Sequence, residues 1–484
     1  MHAPIIFKIL GILLMLFSLL GNLPPIFVSL LYGDGMAMAF FYSLMIIGST
    51  GLLLLIFTAR TRKELGTKDG FIVVTLFWAV LGTAGCLPFL LSPAIELSVT
   101  DAVFESLSGL TTTGATVISG LDSLPKSILF YRQLLQWLGG LGIIVLAMAL
   151  LPMLGIGGMQ LYRAESPGPV KDSKLVPRLA ETAKALWYIY LSLTAVCALA
   201  YWAVGMEFFD AVSHSLTTVA IGGFSTHDAS LGYFNNPAVD TVAIVFMFIA
   251  GINFALHFTA WQRRNGRHYL LDPELLFYSF ILISVSIITV IVLHFTEVYA
   301  SVSESITKGV FQVVSIATTT GFTTADFSSW PLFLPYMLLY AAIIGACAGS
   351  TGGGMKMIRI LLIFKQGFRE VQRLIHPKAI IPIKLGGNVV SDRVIESVWG
   401  FFAVYVMAFM VMLLALLATG LDIITAFSAV GACINNLGPG LAGVAETYGH
   451  LPVTAKWILC FAMLLGRLEV FTLLVLFTPM FWRR

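Results

Sequence analysis

Apolar residues gather in ten runs along this chain: 5–32, 37–58, 71–95, 127–158, 185–206, 238–261, 275–296, 332–364, 397–420 and 454–481. A helix needs about 20 such residues to cross a hydrocarbon core of about 30 Å. The pattern therefore predicts an all-α integral membrane protein with ten membrane-spanning helices. Several runs are longer than a span requires, which predicts tilts, kinks or breaks. The first run is too long for a signal peptide and no small-residue cleavage site follows it, so it reads as the first membrane helix.

The polar stretches on one side break this pattern in a recurring way. They read DAVFESLSGLTTTGATVISGLDSLP (101–125), DAVSHSLTTVAIGGFSTHDASLGYFNNP (210–237), ESITKGVFQVVSIATTTGFTTADFSSWP (304–331) and DIITAFSAVGACINNLGPGLAGV (422–444). Each has an Asp or Ser/Thr start, about three turns of mostly apolar residues, small polar residues, a glycine and a polar return. The glycines Gly114, Gly223, Gly321 and Gly438 are 109, 98 and 117 positions apart. The repeating unit is helix, re-entrant loop, helix. This divides the chain into a leading helix pair (1–68) and four repeats, 69–182, 183–270, 271–390 and 391–484. Asp101 and Asp210 each stand 13 positions before their glycine, whereas Asp422 stands 16 before Gly438, so the fourth repeat reads as the shifted one. The third start is blurred among Ser303, Ser305 and Thr307.

A helix of roughly 12 residues is about 18 Å long and reaches only halfway through the core. Irregular backbone at that depth persists only inside protein or beside a watery cavity. Four half-helices satisfy this by facing one axis, giving four re-entrant half-helices in pseudo-fourfold order. The Asp starts serve as N-caps at the outer surface. The opposite ends carry partial negative charge at mid-membrane, which favours a cation. Glycine lets the returning backbone turn its carbonyls to the axis, and rings of carbonyls select cations. The competing reading is four ordinary outer loops, since Thr and Gly are common in turns.

Charge adds orientation. Twenty of the 28 Lys and Arg residues lie in 59–68, 159–184, 263–267, 365–393 and the last two positions. The positive-inside rule puts these segments and both termini in the cytoplasm. The net charge of +3 thus reports topology rather than a nucleic-acid partner. Cys86, Cys197, Cys347, Cys433 and Cys460 lie in or beside apolar segments without zinc-ligand spacing and read as buried free thiols.

The four loops, with ATTTGFTTADFSSWP and INNLGPGL among them, resemble those of the Trk/Ktr/HKT superfamily of potassium transporters. The leading helix pair, the length and NNLGPG point within it to the bacterial TrkH branch. The resemblance covers essentially the whole chain. It implies potassium uptake at the bacterial inner membrane through a pore within one subunit. It also implies a homodimer, control by a cytosolic TrkA-type nucleotide-binding ring, and no covalently bound cofactor beyond potassium ions in transit. Carried over by position, the selectivity filter comprises Thr112, Thr113 and Gly114, then Ile221, Gly222 and Gly223, then Thr319, Thr320 and Gly321, then Asn436, Leu437 and Gly438. In related proteins a serine at the first glycine position goes with sodium selectivity; Gly114 favours potassium. The basic segments 159–184, 263–274 and 365–393 are candidate docking surfaces for the regulator.

Two features remain. The run 332–364 is interrupted by ACAGSTGGGMK (346–356). Gly349, Ser350, Thr351, Gly352, Gly353 and Gly354 make a continuous helix unfavourable, at about 1 kcal/mol per glycine. This is a candidate gate below the filter, or else a small-residue packing face; the resemblance favours the gate. Arg467 lies near the middle of 454–481, where an Arg costs about 2.5–3.5 kcal/mol if it faces lipid. It is a candidate barrier or latch for the loop, or a structural Arg paired inside the bundle. Glu469 is too close in sequence to be its helical partner. Lys356 can flank the same path. His214 and His257 read as packing or hydrogen-bonding groups rather than proton relays. Obligatory H+- or Na+-coupled symport stays open. An intramembrane enzyme would need HExxH or paired mid-membrane aspartates, and neither occurs; a receptor or scaffold would leave the re-entrant loops unexplained.

Overall fold

The computed structural model describes residues 3–61, 66–145 and 175–483. Much of the basic segment 159–184 and the end of the run 127–158 lie outside the described residues. The described residues are mostly helical, and their one paired-strand element is a short hairpin joining Lys384–Leu385 to Asn388–Val389. Among the described residues, six helices are long and apolar enough to cross a membrane, or up to eight if each of two bent pairs counts as one span. The other two runs are accounted for by Lys126–Val145, whose continuation is not described, and by the run 332–364, which is broken.

Two of the breaks fall where the sequence carries helix-unfavourable residues, at Gly251 and in the Gly-rich stretch, whereas the third, after Arg467, includes the good helix formers Leu468 and Glu469. Pro237–Ala250 and Phe254–Arg263 meet at 88° across Gly251, Ile252 and Asn253. There the Asn253 side chain caps the second piece by accepting from the Ala255 N–H at 2.8 Å. Val453–Arg467 turns by 110° into Phe471–Phe477, so Arg467 ends a helix rather than sitting inside a continuous one. Leu334–Ile344 stops at Gly345, the chain crosses 345–356 without helix, and Met357–Ile375 resumes.

The four half-helices are Val99–Leu110, Phe208–Ala220, Val302–Ala317 and Ile423–Ile434. Their N-termini correct the sequence alignment. The cap of the first is Ser98, which accepts from the Asp101 N–H, so Asp101 is the third helical residue. Asp210 takes the same place after Glu207, which makes no side-chain cap bond. Ser301 caps the third through the Glu304 N–H, and Asp422 is itself the cap of the fourth. Counted from cap to glycine, repeats one, two and four each span 16 positions and the third spans 20. The third repeat is therefore the longer one, by about a helical turn; the fourth is in register. An Asp works equally as a cap or as a third residue, because both place a carboxylate near the exposed N–H groups. Matching Asp to Asp therefore misaligned them.

Each half-helix packs between the two helices of its own repeat and the second helix of the repeat before it. Val99–Leu110 lies against Thr67–Ala84, Lys126–Val145 and Val453–Arg467. Phe208–Ala220 lies against Leu175–Ala203, Pro237–Ala250 and Lys126–Val145. The third and fourth follow the same rule, with Pro237–Ala250 and Leu334–Ile344 as the preceding helices. Since the first half-helix uses the last repeat, the order closes into a ring. The leading helices Ala3–Tyr32 and Ala37–Thr58 pack on each other, and the first also lies on Thr67–Ala84 and Lys126–Val145, outside the ring. Residues 102–110 are buried throughout, polar ones included, while many large apolar side chains of the outer helices are exposed. That inversion suits a body solvated by lipid.

Candidate functional site

All four half-helices end in the same backbone motif. The residue two before each glycine has positive φ: Thr112 at 54°, Ile221 at 55°, Thr319 at 69° and Asn436 at 52°. Its N–H bonds back three residues, as in Thr112 to Gly109 O at 3.0 Å and Thr319 to Ile316 O at 3.0 Å. The next N–H bonds back five: Thr113 to Ser108 O, Gly222 to Thr217 O, Thr320 to Ser315 O and Leu437 to Ala432 O, all at 2.8–2.9 Å. This is the Schellman cap, whose left-handed position is usually glycine. Here three of the four carry β-branched side chains, for which positive φ is an outlier.

The glycines that follow are left-handed too, at 81°, 81°, 85° and 93° for Gly114, Gly223, Gly321 and Gly438. They also close a ring. A Cβ on Gly114 would collide with the carbonyl oxygen of Gly222, one on Gly223 with that of Thr320, one on Gly321 with that of Leu437, and one on Gly438 with that of Thr113. Each glycine thus abuts the carbonyl just before the glycine of the next repeat. The four loops are in mutual contact around one axis, and neither the backbone angle nor the space admits a side chain. Above them a cavity of about 590 Å³ opens outward, lined by all four glycines and by Thr116, Ser225, Thr323 and Tyr448 among others.

Struts that the sequence reading missed hold the returning strands. The side chain nine positions before the glycine is Glu105, His214 or Gln312 in the first three repeats. Glu105 accepts from the Val117 N–H at 2.9 Å and Gln312 from the Thr324 N–H at 3.0 Å, both three residues past the glycine. Ser428 does the same for the Leu441 N–H at 2.9 Å. His214 donates from Nδ1 to the Asp210 carbonyl and meets Ser225 Oγ through Nε2, both at 2.9 Å. His257, likewise buried, is bonded to Tyr269 Oη and Ile249 O. The recurrence of a polar residue nine before each of three glycines was the available signal. Glu105 further forms a fully buried ion pair with Arg132 at 2.8 Å. Arg132 also donates to Ser225 O and Thr116 Oγ1 at 3.1 Å and lies over the Phe224 ring, linking loops one and two. Gln136 reinforces that link, donating to Gly222 O at 2.6 Å and accepting from the Phe224 N–H at 3.0 Å.

Below the loops lies the Gly-rich segment. Thr351 Oγ1 donates to Val219 O at 3.0 Å, Gly353 N–H to Thr319 Oγ1 at 2.7 Å and Gly354 N–H to Asn435 O at 3.1 Å. Phe254 N–H donates to Gly349 O at 3.0 Å. The segment therefore sits across the inner ends of half-helices two, three and four. Arg467 donates to Thr351 O and, on the far side, to Gly139 O, both at 3.2 Å. Lys356 Nζ donates to Gly352 O. Glu469 pairs with Arg359 at 2.5 Å. A small cavity of about 50 Å³ under the segment is lined by Lys356, Arg359, Arg467 and Glu469. The four loops and the Gly-rich segment are thus neighbours in space.

Fold and site define the class: an integral membrane protein built from four quasi-equivalent repeats around a central axis. The family model described as TrkH, cation transport protein, matches residues 36–484. The chain is 58% identical over 484 residues, all of both chains, to the Trk system potassium uptake protein TrkH of Halomonas elongata. It is 54% identical over 483 residues, again all of both chains, to the TrkH of Escherichia coli. The crystal structure of the potassium transporter TrkH from Vibrio parahaemolyticus superposes with a TM-score of 0.93 at 52% identity, covering 100% of each chain. The chain belongs to the TrkH family of cation transport proteins.

Proposed function

We propose that this protein takes up potassium across the bacterial inner membrane by gated, channel-like permeation, with both termini cytoplasmic. The observation that carries this is the ring in which each loop glycine abuts the carbonyl before the next glycine. A dehydrated cation on such an axis meets backbone oxygens from four sides, with the negative ends of four half-helices below it. The filter is Thr112–Gly114, Ile221–Gly223, Thr319–Gly321 and Asn436–Gly438. The Gly349–Gly354 segment is the gate, here closed, because its N–H groups take up Asn435 O and the Thr319 hydroxyl. Arg467 is its latch and adds positive charge to the exit. The family resemblance and the relatives' names support a homodimer acting with a cytosolic TrkA-type nucleotide-binding ring, docked on the basic cytoplasmic segments.

Rubidium flux into liposomes holding the purified protein tests the reading. Flux is expected without a gradient of H+ or Na+; flux that vanishes without one would mean coupled symport instead. Gly114→Ser forces a side chain into the Gly222 carbonyl at positive φ. Strain of about 1–3 kcal/mol at such a site is expected to cut potassium-over-sodium discrimination about tenfold or more. Unchanged discrimination in the same flux assay would take Gly114 out of the filter.

A further inference from the structure

The left-handed cap positions carry side chains where glycine would be free of strain, and three of the four lie beside the Gly-rich segment. Thr319 accepts the Gly353 N–H at 2.7 Å. A Cβ on Gly353 would lie 3.2 Å from Asn436 Cβ, and one on Gly352 would lie 3.6 Å from Ile221 Cδ1. Thr112, the fourth, has a buried hydroxyl with no partner among the described residues and lies beside Gly139 instead. The backbone angle of the cap residue sets the direction of the carbonyls that follow it, because only one residue separates it from the loop glycine.

We propose that Thr319 is the positioning residue that couples the gate segment to the filter. This rests on the reading of both as such. Its hydroxyl holds the segment closed by accepting the Gly353 N–H. The same contact fixes the side chain that projects from the strained backbone of the third loop. Moving the segment away frees that side chain and lets the third loop relax, so the gate and the carbonyl ring change together. The coupling is unequal around the ring: only this cap side chain hydrogen-bonds the segment among the described residues, and the first loop is reached through Arg467 and Gly139.

The test uses the full-length protein in liposomes, with rubidium and sodium flux measured before any regulator is added. Thr319→Val keeps the shape and removes the acceptor. It is expected to raise resting rubidium flux about 2- to 10-fold, the effect of one ordinary hydrogen bond on a closed–open equilibrium. Thr319→Ser restores the acceptor and is expected to reverse the rise. Arg467→Ala releases the segment at Thr351. Combined with Thr319→Val it is expected to raise flux by less than the product of the two single effects, since both release the same element. It is also expected to shift rubidium-over-sodium preference when Thr319 is intact, but not in Thr319→Val. A merely structural Thr319 would give independent effects. No rise in Thr319→Val, or multiplicative effects with Arg467→Ala, in a conducting wild type would overturn the coupling alone. If neither the wild type nor the Thr319→Val, Arg467→Ala double variant conducts either ion, the gate reading is overturned and this proposal with it. If Thr319→Val does not fold, Thr319→Ala is measured in its place with the same expectation.

Discussion

The two TTTG copies have the same letters and the same backbone, and different surroundings. In both, the first and third threonine hydroxyls pair, Thr111 with Thr113 at 2.8 Å and Thr318 with Thr320 at 2.7 Å. The first hydroxyl of each also donates back into its half-helix, to Leu107 O and to Val314 O at 2.7 Å. The middle threonine differs: Thr319 meets the Gly-rich segment and Thr112 does not. The strut differs as well. The first copy is braced by the buried Glu105–Arg132 pair, the second by neutral Gln312, whose amide nitrogen has no partner among the described residues. One copy is braced from behind by a buried ion pair, and the other is tied to the Gly-rich segment. Local sequence sets the shape of each TTTG loop, and the neighbours decide what that loop is fastened to.

The charged strut offers the sharpest way to break this comparison. Glu105→Ala leaves Arg132 buried without its carboxylate, a situation that costs about 3–5 kcal/mol. The first loop is expected to lose order, seen as a large fall in melting temperature and lost ion discrimination. Gln312→Ala removes only one neutral acceptor, worth about 1–3 kcal/mol where it strands a buried N–H, and should lower the melting temperature less. Equal losses would mean the two copies are braced alike. The Thr319 substitutions come next in size, and Thr319→Val should exceed Thr112→Val in its effect on resting flux.

The smallest expected effect concerns the outer tie between loops one and two. His227 stacks on Tyr233 and bonds Asp122 and Asp210. Burial disfavours its protonation, but the hydrogen bonds that His227 donates to Asp210 and Asp122 outweigh that and hold its pKa above the ordinary 6.5. Asp122 is held below its ordinary 3.8, chiefly by the His227 bond. A raised histidine pKa stabilises fully below about 6.5 and is lost as pH rises through the raised value. Melting temperature of the wild type should therefore fall relative to His227→Gln as pH is taken from about 6 to about 9. Asp122 is half exposed, so the contribution is at most about 1 kcal/mol. A constant difference across that range would show that the tie carries no charge.

Much of the site was legible because its physics is local. Half-length helices, a glycine and a polar return announce a re-entrant loop wherever they occur in an apolar chain. Gly349–Gly354 announced a break because consecutive glycines disfavour a helix. The register of the fourth repeat was misjudged because Asp serves at two positions of a helix start. Arg132 was not legible as part of a buried pair, because nothing near it in sequence marks Glu105, 27 positions away, as its partner. The struts were overlooked because Glu, His, Gln and Ser share a hydrogen-bonding role rather than a letter.

By itself the sequence determined a polytopic helical protein with four re-entrant loops, because hydrophobic length and glycine placement act over a few turns of chain. Only the tertiary structure decided that each glycine abuts a carbonyl of the next repeat, that Arg132 is neutralised inside the protein, and that Thr319 rather than Thr112 meets the Gly-rich segment. Those contacts join residues tens to hundreds of positions apart. They depend on how the repeats close around the axis, which no local pattern encodes.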